Sequence, residues 1–103
     1  MKTYKDKVSG ETLYVVPGQV ITRYYKDKSM KILHRRDGPA IEDADGYKAW
    51  YVNDKLHRLN GPAIEGADGR KVWYVNGVTI TFTSSNGSYQ GPILLQNALN
   101  KLI

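Results

Sequence analysis

The clearest pattern along the chain is a strict alternation that is written twice. Tyr47 to Val52 sets Trp50 and Val52 on one side and Ala49 and Tyr51 on the other. The later run to Val75 sets Trp73 and Val75 against Val72 and Tyr74. Period two predicts β-strand, and apolar residues on both sides predict a strand with two packed faces. Each long strand follows the same lead-in. Gly38-Pro39 or Gly61-Pro62 opens a short strand, and Asp45-Gly46 or Asp68-Gly69 makes the turn, with glycine supplying the positive φ. Each strand is closed by Asn53-Asp54 or Asn76-Gly77, the latter a strong hairpin signal. The whole phrase, Leu33 to Asn53, returns without a gap from Leu56 to Asn76, an offset of 23 residues. A fixed period of this size marks stacked supersecondary units. Each unit is one hairpin, and neighbouring hairpins pair into a meander.

On the N-terminal side the pattern is worn. Thr12 to Val16 is β-rich, Pro17-Gly18 turns, and Gln19 to Tyr25 alternates again, with Tyr24-Tyr25 standing where Trp50-Tyr51 stand later. Extra residues, Lys26 to Lys31, then form a longer basic loop. After Asn76-Gly77, residues 78–83 predict a last strand and residues 84–88 a loop. Leu95, Ala98, Leu99 and Leu102 share one face of a helix over residues 92–103, with Pro92 at its first turn. The expected fold is mainly β: an antiparallel meander of about three stacked β-hairpin repeats with a short C-terminal capping helix. It forms one domain, with a degenerate repeat at 1–32, full repeats at 33–55 and 56–78, and the last strand and helix at 79–103.

Composition narrows the function classes. The chain has 103 residues and no cysteine, which excludes a disulfide framework and a thiolate zinc site. Its apolar runs are far too short to span a membrane. The stretch MKTYKDKVSGETLY has no apolar core of the signal-peptide kind, so a cytoplasmic setting is expected (host cytoplasm if the source is viral). The net charge of +5 is unevenly spread, at +6 over residues 1–36, −4 over 37–69 and +3 over 70–103. The basic segment suits phosphate or an acidic protein surface, whereas the acidic middle works against uniform nucleic-acid tracking.

The stretches Asn53-Asp54-Lys55-Leu56-His57 and Asn76-Gly77, with the turns Asp45-Gly46 and Asp68-Gly69, resemble the membrane occupation and recognition nexus (MORN) repeat. The resemblance covers about residues 24–77. It departs where Arg35 and Arg58 follow histidine, since the family usually has glycine there, and where Gly-Pro-Ala opens the short strand. The sequence is therefore similar to a variant of that repeat, of a kind associated with small bacterial and viral proteins. The resemblance implies a single-layer antiparallel meander that serves as an interaction scaffold, and it implies no chemistry.

The candidate site residues are few. His34 and His57 occupy equivalent places in successive hairpins, roughly 10 Å apart by strand spacing, too far for one metal ion. They are expected to hydrogen-bond their own turns, and no metal or cofactor is expected. Asp43 and Asp45 flank a turn without a fuller oxygen cage. No serine is matched to a histidine, and no phosphate-cradling glycine motif is present, so no enzymatic activity is expected. Arg35, Arg36 and Arg58, with Lys26, Lys28 and Lys31, could gather along one edge to hold carboxylate or phosphate. The blander reading pairs Arg35 and Arg58 with Asp37, Glu42 or Glu65. Tyr24, Tyr25, Tyr51 and Tyr74 could add an aromatic stripe. The leading expectation is a non-enzymatic module, an inhibitor or adaptor, that binds a target protein through an Arg/Tyr face or a sheet edge. A free edge also invites pairing with a second copy. The alternative is sequestration of a small phosphorylated ligand or nucleotide, and nucleic-acid binding comes third.

Overall fold

The computed structural model describes residues 2–80. They form ten short strands: β1 (Lys2–Lys5), β2 (Thr12–Val16), β3 (Ile21–Tyr25), β4 (Ile41–Asp43), β5 (Lys48–Ala49), β6 (Tyr51–Val52), β7 (Lys55–Leu56), β8 (Ile64–Glu65), β9 (Lys71–Val75) and β10 (Val78–Ile80). Eight make one antiparallel sheet in the order β1-β2-β3-β4-β5-β8-β9-β10, and β6 pairs with β7. The expected meander is present, with the two full repeats written as successive hairpins. The C-terminal helix over 92–103, and the strand beyond Ile80, lie outside the described residues.

Three details differ from the sequence reading. β1 was not anticipated, because Lys2–Lys5 carries only Tyr4 as a sizeable apolar group. It pairs Tyr4 with Leu13 and Lys2 with Val15, so the worn first unit gains a strand. The strand expected over Gln19–Tyr25 starts only at Ile21. The strand expected over Tyr47–Val52 is divided at Trp50. Its first half pairs on both sides, with β4 and β8, and its second half pairs with β7. The division has a cause in the return segment that follows. Arg58 to Pro62 leave the ladder between β7 and β8, so Trp50 faces a gap spanned by Trp50 N–H to Ala63 O (2.8 Å) and His57 N–H to Trp50 O (2.9 Å). Trp73 instead pairs with Ile80 of β10, and β9 runs unbroken. Each repeat loops out in the same way on its entry side. Arg35 N–H donates to Tyr51 O (3.0 Å) and Ala40 N–H to Ala49 O (2.9 Å), with Arg36 to Pro39 outside the ladder between them. Arg58 N–H donates to Tyr74 O (3.2 Å) and Ala63 N–H to Val72 O (2.9 Å).

The closing turns follow the sequence reading. Asn53 and Asp54 have φ of 51° and 66°, and Asn76 and Gly77 have φ of 50° and 79°. Two consecutive positive values are what a primed hairpin turn requires.

Because the sheet has no second layer among the described residues, its core is thin. The buried apolar residues are Leu13, Val15, Ala40, Ala49, Ala63 and Val75. Two polar side chains are buried with them, Asp6 and His34. Asp6 is the joint between the first hairpin and the first loop. Its Oδ1 accepts from the N–H of Val8 (2.9 Å) and Ser9 (3.0 Å), and its Oδ2 from Arg36 (2.6 Å) and Asp37 (3.2 Å). Burial pushes its carboxyl up, but the four N–H donors outweigh that and hold it below its ordinary value.

Removing this carboxylate strands several amides in a dry place, at about 1–3 kcal/mol for each one left unpaired. Asp6→Ala should therefore lower unfolding stability by at least ~2 kcal/mol in urea titration. A change within ~0.5 kcal/mol would show that the joint does not hold the loop.

Candidate functional site

Each full repeat carries the same clasp, built by the His-Arg pair at the start of its loop. Histidine first fastens the turn that closes its own unit. His34 Nδ1 accepts from Asn53 N–H, and His57 Nδ1 from Asn76 N–H, both at 3.0 Å. The imidazole proton of the neutral ring is therefore on Nε2 in both. Arginine then folds back over the sheet. The Arg35 guanidinium lies over the rings of Tyr24 (4.2 Å) and Tyr4 (4.9 Å), and that of Arg58 over Trp50 (3.8 Å). Nη1 of Arg35 donates to Pro39 O (3.1 Å) and Glu42 (2.9 Å). Nη1 of Arg58 donates to Pro62 O (3.1 Å) and Glu65 (3.0 Å). Glycine is needed beneath. A Cβ at Gly38 or Gly61 would lie 2.8 Å from the guanidinium carbon.

The two clasps differ in how fully they are closed. In the first, Arg35 Nε donates to Asp37 at 2.6 Å, and Asp37 also accepts from the Tyr4 hydroxyl and from Lys7 N–H. Burial pushes the Asp37 carboxyl up, yet the Tyr4 hydroxyl and the other donors bring it below its ordinary value. His34 is fully buried, and its Nε2 donates to Glu11 at 2.9 Å. That donor is the main reason the Glu11 carboxyl is held at about 2. In the second clasp Asn60 stands where Asp37 stands, and Arg58 Nε reaches it at 3.3 Å. His57 Nε2 has no acceptor among the described residues. Burial, then the cation of Arg36, pushes the His57 imidazole below its ordinary pKa.

Between the two loops runs an open groove of about 630 Å³. Its lining includes Val8, Arg36, Trp50, Val52, His57 and Leu59. Val8 and Leu59 are 72% and 46% exposed. Arg36 is exposed, and its one side-chain bond among the described residues is a 3.4 Å contact from Nε to Glu11.

The residues singled out from sequence are thus distributed over three places. Arg35 and Arg58 are used inside the clasps, paired to the acids of the blander reading, and Arg36 faces the groove. Lys26, Lys28 and Lys31 sit in the hairpin loop after β3. There Lys26 Nζ donates to Asn53 (2.9 Å), and the Asp27 carboxylate accepts from Lys31 and Ile32 N–H. Tyr25, Tyr51 and Tyr74 share the opposite sheet face, because each follows the aromatic residue that belongs to the clasp side (Tyr24, Trp50, Trp73) and successive strand residues alternate. Burial, then Tyr47, Asp54 and Tyr74, raises the Tyr51 hydroxyl pKa. Asp6, Glu11, Val8 and Leu59 escaped the sequence reading. The sequence signal for one of them is that the two copies differ there, Leu59 standing 23 residues after Arg36. Among the described residues no three of His, Asp and Glu converge as metal ligands. Asp43 and Asp45 are spent on the turn, accepting N–H from Asp45 and Tyr47. No family model, curated protein or solved structure matches this chain.

The Glu11–His34 contact has a pH signature. A carboxyl whose folded pKa is depressed stabilises the fold only while ionised. For Glu11 that contribution is complete above its ordinary value of 4.5 and is lost as pH falls toward about 2. In acid titrations of urea stability, Glu11→Gln should fall less steeply than wild type across this window. Identical slopes would remove the contact from the account.

Proposed function

We propose that this protein is a non-enzymatic interaction module, an inhibitor or adaptor, that grips a target protein in the groove between its two arginine clasps. One observation carries the reading. Two well-exposed aliphatic side chains, Val8 and Leu59, border the same groove as a largely unengaged arginine, Arg36. Scattered exposed apolar residues are ordinary on a surface, but their gathering at a concave site with a cation beside them is the composition of a binding surface. The MORN-like repeat pattern supports the same class, since that family's sheet serves as a scaffold. The sheet edge supports it less. On β1, Lys2 and Lys5 are exposed, and lysines on an edge strand discourage strand addition and pairing with a second copy.

The alternative, sequestration of a small phosphorylated ligand, draws on Arg36 and His57 as donors beside Trp50. General nucleic-acid binding has less support, because Glu42 and Glu65 lie in the clasps and engage their arginines.

Site-specific photocrosslinking in the native cell tests the leading reading. A benzophenone side chain at Leu59 should capture a discrete protein, and Arg36→Gln in the same chain should reduce its yield. The same probe at Val78, more exposed than Leu59 but outside the groove, should capture none. Equal capture at both positions would place the contact elsewhere. A stabilising thermal shift with nucleotides, and no crosslink at Leu59, would favour the phosphorylated ligand.

A further inference from the structure

We infer that the groove selects a carboxylate, an aspartate or glutamate side chain of the partner protein, held between Arg36 and His57 with an apolar neighbour on Val8 and Leu59. The inference rests on the groove being a protein-binding surface and names what that surface recognises.

The two clasps use their histidines differently. Glu11 accepts the Nε2 proton of His34 at 2.9 Å, whereas His57 Nε2 has no acceptor among the described residues. His57 and Arg36 line the same groove, Arg36 can only donate, and its cation helps to lower the His57 pKa. The second clasp has Asn60 where the first has Asp37, so Arg58 lacks an anionic partner that Arg35 has. The groove therefore offers N–H donors with less negative charge around them on the side of the second clasp.

The size of the charge points to a carboxylate. With a neutral imidazole, Arg36 and His57 present one positive charge and N–H donors to a monoanion with two oxygens. A phosphate monoester carries about −1.5 to −2 at neutral pH. It would leave charge uncompensated beside Glu11, which already lies 3.4 Å from Arg36. The apolar walls point to a polypeptide: Val8, Pro39, Val52 and Leu59 line an open groove, and a small free carboxylate would leave them uncovered.

The test is an NMR titration of the full chain with capped peptides, acetyl-Leu-Glu-Leu-amide against its isosteric Gln counterpart and its phosphoserine counterpart. The Glu peptide should bind about tenfold more tightly than the Gln peptide, the scale of one charge-assisted contact, and should shift the His57 imidazole and Arg36 Nε resonances. Arg36→Gln should erase the preference. Equal binding of Glu and Gln peptides through Leu59 would overturn the carboxylate but leave the groove standing. No groove shift with any peptide at millimolar concentration would overturn both. Tighter binding of the phosphoserine peptide would overturn the choice of anion. Arg36→Glu supplies a second check, since it puts a carboxylate where the cation stood. It should raise the His57 pKa above its wild-type value and abolish the preference for the Glu peptide. An unmoved His57 titration would show that Arg36 and His57 do not act on one ligand and would overturn the carboxylate site.

Discussion

An arginine laid flat between an aromatic ring and a glycine is the joint on which this sheet depends. A single-layer sheet has a difficulty at its faces: nothing packs against them. Here each return strand interrupts itself and sends a four-residue loop over one face, and the loop's arginine brings the packing surface. In the second repeat the Arg58 guanidinium rests 3.8 Å from the Trp50 ring centroid and bonds both a backbone carbonyl and Glu65. Such a planar, multiply donating group suits a stacked site in a way that lysine does not. The glycine-proline that follows is explained by the same contact. Glycine clears space for the guanidinium, and proline offers its carbonyl.

This joint also explains why the apolar core is so small. Ala40, Ala49 and Ala63 are fully buried, and each is an alanine in the ladder that joins a loop to its strand or lies directly beneath one. Little volume remains for larger side chains. Specificity of packing has passed instead to polar contacts: the Asp6 carboxylate with four amides, the histidine under each turn, and the guanidinium stacks. Buried polar groups of this kind have to be almost fully partnered to be tolerated. In the first clasp they are. In the second, Asn60 stands in place of Asp37 and His57 Nε2 has no acceptor among the described residues, and this less closed clasp forms one wall of the groove.

The repeat, its antiparallel meander and its hairpin turns were legible in the sequence, because alternation at Trp50-Tyr51 and Trp73-Tyr74 and the Asn-Gly turn are local signals. Pairing of Arg35 and Arg58 with Asp37, Glu42 and Glu65 was also foreseen as one of two readings. The division of the strand at Trp50 was not, since it is imposed by the neighbouring loop. Nor was the separation of the arginines from Tyr25, Tyr51 and Tyr74, although strand alternation contained it once Tyr24 and Trp50 were assigned to the clasp side. The groove was hidden for a further reason. Val8, Arg36 and Leu59 belong to three different loops, and only the folded register brings them together. Asp6 looked like one charge in a basic segment, and its burial depends on amides that are 30 residues away.

A double-mutant cycle measures the energetic coupling between guanidinium and ring directly. Trp50→Leu, Arg58→Lys and the double variant should be compared with wild type by urea unfolding. A coupling of about 1–2 kcal/mol between the two positions is expected, in the range of a desolvated cation–π contact. Additive losses, with coupling below ~0.3 kcal/mol, would contradict it and leave the arginine a surface charge that happens to lie over a tryptophan.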